Sequence, residues 1–426
     1  MIGGIAQNVV TVTDTVFLSQ VGKIELGAAG NAGILYFLFV ITGMGFTSGA
    51  QIIIGRRNGE KNYDKIGGIV DQSFYFLLPL GIILMGLIAF VLPLFLENII
   101  HSRPIFLASI DYLQFRSIGI VFAFFTFILN SFFIGTTNTR VLILSTIIMA
   151  AVNTSLDYLL IFGHHGFPEM GIKGAAIASV IAEISACIFL LVFTFYKVDL
   201  EKYQLFKFKK VSKEILSRIF KISLPIMLQS FITLGSWFFF FSLIEIMGED
   251  QLAVSHIIRS IYMVMMIPMF GLSSAANTIT SNLIGENRSN LVLPTTMKIV
   301  LVSFVFTLPF VLINLLFPNE IANFYSTDKV IQAGVVSTLK VINISMYFFC
   351  LAYITFNSVT GTGNTKASLF IEFFNIIIYL CAAIIIVKVF APPIAIVWCS
   401  EFIYFGFLSL MSWYYLKKGN WRDKQI

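Results

Sequence analysis

Charged residues are scarce in this chain, making up 12% of its 426 residues against roughly 25% in soluble proteins. Cysteine and histidine are scarcer still, with four of each. The cysteines (Cys187, Cys350, Cys381 and Cys399) stand singly inside apolar stretches, so their spacing provides neither a disulfide framework nor a metal site. We therefore expect all four to be small core residues.

Several signature motifs are also missing. The chain has no Gly-Lys-Ser/Thr nucleotide loop, no His-Glu-x-x-His motif and no Ser/His/Asp grouping tied to a soluble domain. We therefore expect no enzyme activity and no bound cofactor. No basic segment precedes the first apolar stretch, as it would in a cleavable signal peptide. The net charge of +6 arises from loop residues, so we expect no nucleic-acid partner.

Long apolar runs fill most of the sequence. Hydrophobic residues make up 58% of the chain, and runs of 18 or more of them are long enough to cross a bilayer as helices. The pattern predicts an all-α polytopic membrane protein with no separate soluble domain. The twelve predicted spans lie at about 1–18, 27–54, 69–96, 107–133, 140–163, 171–196, 213–246, 252–284, 292–318, 330–359, 367–390 and 393–416.

The sequence also repeats itself at a fixed offset. The segment that begins at Gly135 (Gly-Thr-Thr-Asn-Thr-Arg) recurs 226 residues later at Gly361 as Gly-Thr-Gly-Asn-Thr-Lys. Val21-Gly22 recurs at the same offset as Met247-Gly248. Two features at one offset predict two pseudo-symmetric six-helix bundles, an arrangement typical of transporters. We predict a first bundle at 1–198, a linker at 199–212, a second bundle at 213–418 and a tail at 419–426.

The basic residues predict the orientation in the membrane. Most of them follow even-numbered spans, lie between spans 6 and 7, or end the chain, and few lie in the opposite loops. By the positive-inside rule, both termini and the linker are cytoplasmic. We expect a multi-pass protein of a bacterial inner membrane.

The first predicted span is not preceded by a polar segment like the one that precedes span 7. Span 7 is preceded by a polar segment beginning at Lys213, whose counterpart would lie upstream of Met1. We therefore expect the first helix to be truncated, with a naturally short helix as the alternative.

Several polar residues inside the predicted spans are candidates for binding a cation. A carboxylate at mid-bilayer costs about 2.5–3.5 kcal/mol, so Asp14 in span 1 and Asp157 in span 5 are functional candidates. Asn153 lies one helical turn before Asp157, and Ser179 in span 6 lies one turn before Glu183. Hard oxygen ligands suit Na⁺ or a proton rather than a transition metal. Glu183 is a candidate for a supporting or proton-relay role.

The second half differs at the equivalent positions. Phe240, Tyr379 and Ala383 stand where the first half has Asp14, Asn153 and Asp157, so we predict no equivalent site there. The second half has its own membrane carboxylates, of which Glu372 is the deepest. Glu372, and His256 in span 8, are further proton-relay candidates.

Aromatic and methionine side chains bear on the substrate. Aromatic faces attract organic cations, and methionine adapts to varied shapes. Trp237, Met265, Met266 and Gln229 are therefore our candidates for a substrate cavity, although phenylalanine-rich surfaces also occur wherever helices face lipid.

The ordered motifs resemble the multidrug and toxic compound extrusion (MATE) family over nearly the full chain. The matching stretches are 14–17, 43–46, 49–51, 55–59, 135–139, 153–157, 171–179 and 224–226. The resemblance implies two six-helix bundles, alternating access and cation-coupled export of amphipathic, often cationic compounds. It also implies a first-bundle cation site at Asp14, Asn153, Asp157 and Ser179, where the family often has Thr in place of Ser179. Some members carry a span-7 glutamate where this chain has Thr233.

Two other functions fit parts of the pattern. A lipid or lipid-linked oligosaccharide flippase of the same superfamily shares the two-bundle plan but usually has several basic residues in its cavity, whereas the membrane charges noted here are mainly acidic. A channel or receptor would not need duplicated halves with one asymmetric acidic site. We expect a monomer whose partners are small organic cations and membrane lipid.

Overall fold

The computed structural model describes residues 13–97, 100, 102–390 and 392–422, and these residues are almost entirely helical, with no strand among them. The expected truncation of the first helix concerns residues outside this part of the chain. In order, the long helices are α1 (13–21), α2 (Lys23–Gly59), α3 (Tyr63–Glu97), α4 (Arg103–Gly135), α5 (Arg140–Phe162), α6 (Ile172–Lys197), α7 (Lys213–Glu245), α8 (Glu249–Gly285), α9 (Ser289–Leu316), α10 (Lys329–Gly361), α11 (Thr365–Phe390) and α12 (Ile394–Lys418).

The helices from α2 to α12 match the predicted spans one for one. Within the described residues, these eleven are long and apolar enough to cross a membrane. Several predicted spans were shorter than the helices observed. Helix α2, for example, has 37 residues and begins at Lys23 rather than near position 27. At 1.5 Å per residue it is about 55 Å long, so it extends beyond the roughly 30 Å of hydrocarbon that the apolar pattern marks.

The duplication appears in the way helices pack within each half. In the first half α2 packs against α4, α3 against α4, α4 against α6, and α5 against α6. The equivalent pairs in the second half, α8 with α10, α9 with α10, α10 with α12, and α11 with α12, also pack extensively. Helices six places apart in the chain therefore have the same neighbours within their own half, as the repeat predicts.

The described chain forms two compact units that divide between residues 223 and 224. This division falls inside α7, after its first three turns. The Ser223 hydroxyl donates a hydrogen bond to the Phe46 carbonyl of α2 at 2.8 Å, so the start of α7 packs with the first unit. The connecting segment before α7 contains one short helix, Leu200–Tyr203.

The repeated Gly-Thr-x-Asn motif forms the turn after α4 and again after α10. The third motif residue has a left-handed backbone in both copies, with φ of 63° at Thr137 and 81° at Gly363. Glycine adopts this conformation without strain, whereas a β-branched residue such as threonine does not. Gly135 and Gly361, at the start of each copy, lie too close to α2 and α8 respectively to accommodate a Cβ atom without movement.

The cysteines only partly follow the expectation. Cys187 and Cys350 are buried, Cys399 is half-buried, and Cys381 is exposed on α11. The prediction that all four are core residues is therefore wrong for Cys381, because an apolar run alone does not reveal which helix face points outward.

Candidate functional site

A polar cluster is formed in the first unit by α1, α5 and α6. Helix α1 provides Asp14, α5 provides Asn153 and Asp157, and α6 provides Ser179. Asn153 and Asp157 are both fully buried and lie one turn apart on the same face of α5. Ser179 is also buried, and Asp14 is partly buried. The structure thus brings together all four residues predicted from the sequence.

The Asn153 amide lies at the centre of this cluster. Its NH₂ group donates hydrogen bonds to Asp14 Oδ1 at 3.1 Å and to Asp157 Oδ2 at 3.3 Å, the orientation in which each amide atom faces a suitable partner. On its other side the amide lies 3.4 Å from Ser179 Oγ, whose hydroxyl can donate to the amide oxygen. Asn153 therefore links the two carboxyl groups to the hydroxyl on α6.

The two aspartates share one small space. Their carboxyl groups are close enough to interact with each other, and both contact the Asn153 amide. Asp157 Oδ1 is buried and has no hydrogen-bond donor among the described residues. Two ionised carboxylates offer only acceptor oxygens and repel each other, so a proton or a cation between them is strongly favoured. The pair can therefore take up a positive charge and release it again.

A second polar group lies beside this cluster, and the sequence analysis missed its central residue. Arg116 on α4 donates to Glu183 Oε2 at 2.9 Å and to Glu183 Oε1 at 2.6 Å, and both side chains are mostly buried. Arg116 also donates to the Tyr36 hydroxyl at 3.0 Å and lies over the Tyr36 ring, 4.1 Å from its centroid. Glu183, a predicted relay candidate, is thus held in a bidentate ion pair.

Arg116 lies near the aspartate pair but does not form an ion pair with it. Its guanidinium is close enough to Asp14 to interact electrostatically, but its ion pair is with Glu183. In the part of the chain that the structure describes, neither Asp14 nor Asp157 forms an ion pair with a basic residue. The negative charge of the aspartate pair therefore has no basic partner in direct contact.

The equivalent positions in the second unit are filled by apolar and aromatic side chains. Phe240, Tyr379 and Ala383 are all buried, and the rings of Phe240 and Tyr379 lie 5.7 Å apart. Two positions that carry Asp14 and Asn153 in the first unit are therefore in contact in the second unit as well. The helix arrangement is retained, but the chemistry at the contact is different.

Glu372 forms a separate polar group in the second unit. Its Oε1 accepts hydrogen bonds from the Thr233 hydroxyl at 3.0 Å and the Tyr404 hydroxyl at 2.6 Å. Its Oε2 is buried with no donor among the described residues. Thr233 lies on α7 and Glu372 on α11, so this hydrogen bond joins the two helices. Glu401, also buried, accepts from the Tyr262 hydroxyl at 3.3 Å.

The remaining candidates lie in the second unit. His256 is exposed and stacks on Phe241, at 5.1 Å between ring centroids. Trp237 is partly buried and stacks on Tyr262. Met265 is buried, and its sulfur accepts a hydrogen bond from Asn314. Met266 and Gln229 are partly buried, and the amide oxygen of Gln229 has no donor in the described chain.

The described residues contain no group of three or more His, Cys, Asp or Glu side chains that could hold a metal ion. The Asp14–Asp157 cluster instead combines two carboxylates with an amide and a hydroxyl. Such a set provides oxygen ligands for a monovalent cation or acceptors for a proton.

The sequence matches the model of one protein family over most of its length. The family model MatE matches residues 1–159 and 225–385, which is most of the chain and includes a similar length of each half. The probable multidrug resistance protein NorM of Thermotoga maritima is 23% identical over 420 residues, covering 97% of this chain and 89% of that protein. The probable multidrug resistance protein YoeA of Bacillus subtilis is 25% identical over 59% of this chain and 55% of its own length.

Solved structures show the same fold. An outward-facing multidrug resistance MATE family transporter of the MOP superfamily superimposes with a TM-score of 0.91 at 21% identity, covering 100% of this chain and 94% of that one. A MOP superfamily transporter from Pyrococcus furiosus gives a TM-score of 0.89 at 20% identity, covering 98% and 94%. At these identities the likeness concerns the fold.

Proposed function

The chain belongs to the MatE family of membrane transporters, and we propose that it exports amphipathic, often cationic compounds in exchange for Na⁺ or H⁺. The observation that carries this proposal is the Asp14–Asn153–Asp157 cluster, in which one buried Asp157 oxygen has no donor among the described residues. Because no nucleotide-binding motif is present in the sequence, an ion gradient is the energy source that fits.

The cluster suggests how a cation is taken up. With the amide nitrogen of Asn153 facing both carboxylates, a proton can bind between Asp14 and Asp157 without any change in the amide. Binding of Na⁺ instead requires the amide to rotate, so that its oxygen joins the carboxylate oxygens and the Ser179 hydroxyl as ligands. We favour Na⁺, because this mixed oxygen set has more ligands than a proton needs.

Cation binding can change the first unit because its ligands come from three helices. A cation held by Asp14, Asp157 and Ser179 draws α1, α5 and α6 together, whereas its release leaves two carboxylates that repel each other. A transporter of this kind must favour different conformations with cation and with substrate bound, so the two ligands weaken each other's binding. Alternating access follows from that competition.

The alternative of a lipid or oligosaccharide-lipid flippase has less support. Such a protein needs basic groups available for phosphate within the membrane. Arg116, a mostly buried arginine beside the aspartate pair, is committed to Glu183 through two hydrogen bonds. The acidic pair beside it suits a cation better than a phosphate.

The proposal places the protein as a monomer in a bacterial inner membrane, with both termini and the connecting segment in the cytoplasm. The basic residues of the loops support this orientation. Accessibility of single cysteines introduced at Lys210 and at Glu249 to a membrane-impermeant reagent, added to intact cells, tests it. We expect labelling at position 249 only.

Ethidium uptake into everted membrane vesicles, which corresponds to export from cells, tests the transport function. Na⁺ and pH gradients are imposed separately on vesicles with the wild-type chain, with Asp14→Asn and with Glu245→Gln as an exposed acidic control. We expect one gradient to drive ethidium movement in the wild type and the control, and neither to do so in Asp14→Asn. Equal movement by Asp14→Asn and the wild type contradicts the proposed coupling site, and gradient-independent movement contradicts antiport.

A further inference from the structure

We propose that a basic cleft at one end of the first unit binds the phosphate headgroup of an anionic phospholipid, a role separate from the transport proposed above. The cleft has a volume of about 340 Å³ and is formed by the end of α2, the start of α3, the connecting segment and the start of α7. Its basic lining residues are Arg57, Lys65, Lys207, Lys209, Lys210 and Arg218.

The connecting segment has a fixed backbone at this cleft. The buried carboxylate of Asp71 accepts hydrogen bonds from the backbone N–H groups of Phe206 at 3.1 Å and Phe208 at 2.8 Å. The Gln72 side chain accepts one from the Ser212 N–H at 2.9 Å. Because α3 holds the segment at several points, the lysines between them are presented from an ordered backbone, and the cleft exists before any ligand binds.

The charge of the cleft is strongly positive and only partly compensated. Arg57 forms an ion pair with Glu60, and Arg218 forms one with Glu214. Within the described chain, Lys65, Lys207 and Lys210 have no acidic side chain within ion-pair distance. Of the two acidic residues that line the cleft, Asp71 is already engaged by backbone N–H groups. An anion therefore meets an excess of positive charge.

The helix ends add to this preference. Both α3 and α7 begin beside the cleft, and both are long helices. Their first N–H groups carry a partial positive charge that favours an anion near the helix start. A phosphate group is the anion that suits several lysines and helix starts at once.

The apolar surroundings point to a lipid rather than to a soluble phosphate. Ile53, Ile69 and Ile215 line the same cleft as the lysines. On the connecting segment, Phe208 is 49% exposed and Val211 is 57% exposed, although both stand between lysines. A segment that alternates basic and exposed apolar residues at the ends of membrane helices is suited to the headgroup region of a bilayer. The lysines then contact the phosphate, and the apolar side chains contact the start of the acyl chains.

Lipid binding to the purified full-length chain tests this proposal. Phosphatidylglycerol, phosphatidylcholine and soluble glycerol phosphate are titrated in neutral detergent, and bound molecules are counted by native mass spectrometry. The test variant carries Lys207→Gln, Lys209→Gln and Lys210→Gln. The matched control removes three other exposed lysines through Lys298→Gln, Lys366→Gln and Lys418→Gln.

We expect the wild type to bind phosphatidylglycerol in preference to the other two molecules. A basic residue near an anionic membrane surface contributes about fivefold in affinity. The variant without Lys207, Lys209 and Lys210, called the linker variant below, should therefore bind about one hundredfold more weakly. The control should bind like the wild type. Equal loss in both variants, or no loss in the linker variant, overturns the site. Equal binding of glycerol phosphate overturns the assignment to lipid.

A measurement on the wild type covers the case in which the linker variant does not fold. Phosphatidylglycerol with a photoreactive headgroup is cross-linked to the wild-type chain, and the modified peptides are sequenced. We expect cross-links within residues 53–72 and 204–218. Cross-links found only in other parts of the chain overturn the proposal, whatever the transport assays show.

Discussion

The Arg116 guanidinium forms two parallel hydrogen bonds with the Glu183 carboxylate, at 2.9 Å and 2.6 Å, between helices α4 and α6. This pair neutralises one carboxylate of the first unit, whereas neither Asp14 nor Asp157 forms an ion pair within the described residues. The ion pair thus separates a structural carboxylate from the two that are suited to exchange a cation.

Removing the arginine should destabilise the protein strongly. Arg116→Met leaves Glu183 buried without its partner, and breaking a buried ion pair costs about 3–5 kcal/mol. The double variant Arg116→Met/Glu183→Leu leaves no unpaired charge and should lose less stability than Arg116→Met alone. Denaturant unfolding in detergent measures the free energies of unfolding of Arg116→Met, Glu183→Leu and the double variant. A double variant that is as unstable as the sum of the two single variants shows that the pair has no coupling energy.

Asp157→Asn should abolish coupled efflux while leaving expression and folding intact. The substitution keeps the size of the side chain but removes the negative charge that a cation needs at this buried position. Ethidium efflux from cells, together with the amount of protein in the membrane, provides the measurement. Glu249→Gln, at an exposed helix end, serves as the control and should export normally. Efflux by Asp157→Asn at the wild-type rate places the coupling site elsewhere.

Substrate and coupling cation should weaken each other's binding by the same factor. Reciprocity is a thermodynamic requirement once both ligands act on one conformational equilibrium. Binding of ²²Na⁺ and proton uptake by the purified chain are measured with and without ethidium, in wild type, Asp14→Asn and Glu372→Gln. We expect Asp14→Asn to lose cation binding and Glu372→Gln to keep it. The reverse pattern assigns coupling to the second unit, where Thr233 and Tyr404 surround Glu372.

Thr137→Gly should raise stability, an unusual outcome for the loss of a side chain. Thr137 has a φ of 63°, whereas its repeat counterpart Gly363 has a φ of 81° and no Cβ to be strained. A residue held in a sparsely populated backbone region costs about 1–3 kcal/mol, and glycine removes most of that strain at some cost in chain entropy. We expect a gain of about 1 kcal/mol in the free energy of unfolding. Gly363→Thr is the complementary change and should lower it.

Asp71→Asn should loosen the connecting segment. The carboxylate accepts two backbone hydrogen bonds, and bonds to a charged group are worth about 1.5–3 kcal/mol each, more than bonds to a neutral amide. Trypsin cleavage after Lys207, Lys209 or Lys210 is the readout, and it should become faster in the variant. Asp64→Asn is the control, because Asp64 is exposed and lines the same cleft. Equal cleavage rates in both variants indicate that Asp71 does not hold the segment.

Much of the fold could be predicted from the sequence, because membrane helices require long apolar runs and the repeat fixes how many there are. The ends of the helices were harder to predict, since helices such as α2 continue with polar residues beyond the apolar stretch. Asp14 and Asp157 were predicted because a carboxylate is costly in lipid. Asn153 and Ser179 were predicted from their spacing along the helices and from the family resemblance.

The same reasoning could have found Arg116, which interrupts the apolar run of α4 just as Asp157 interrupts that of α5. Its partner could not be named, because the pairing with Glu183 depends on which faces of α4 and α6 meet. The Thr233–Glu372 contact is similar: the two residues lie 139 positions apart, and only the packing of α7 against α11 brings them together.

The aromatic contact between Phe240 and Tyr379 has an electrical consequence. The second unit has this aromatic contact where the first unit has an acidic pair. An exchange that uses only the first-unit cluster is therefore limited to the number of cations that its two carboxylates can bind. One cation exchanged for one monovalent drug cation moves no net charge, so the membrane voltage neither helps nor opposes it. Two protons exchanged for the same drug move one charge inward, worth about 2.3 kcal/mol per 100 mV. Under the proposed antiport, the current that accompanies export would therefore report how many ions the cluster releases in each cycle.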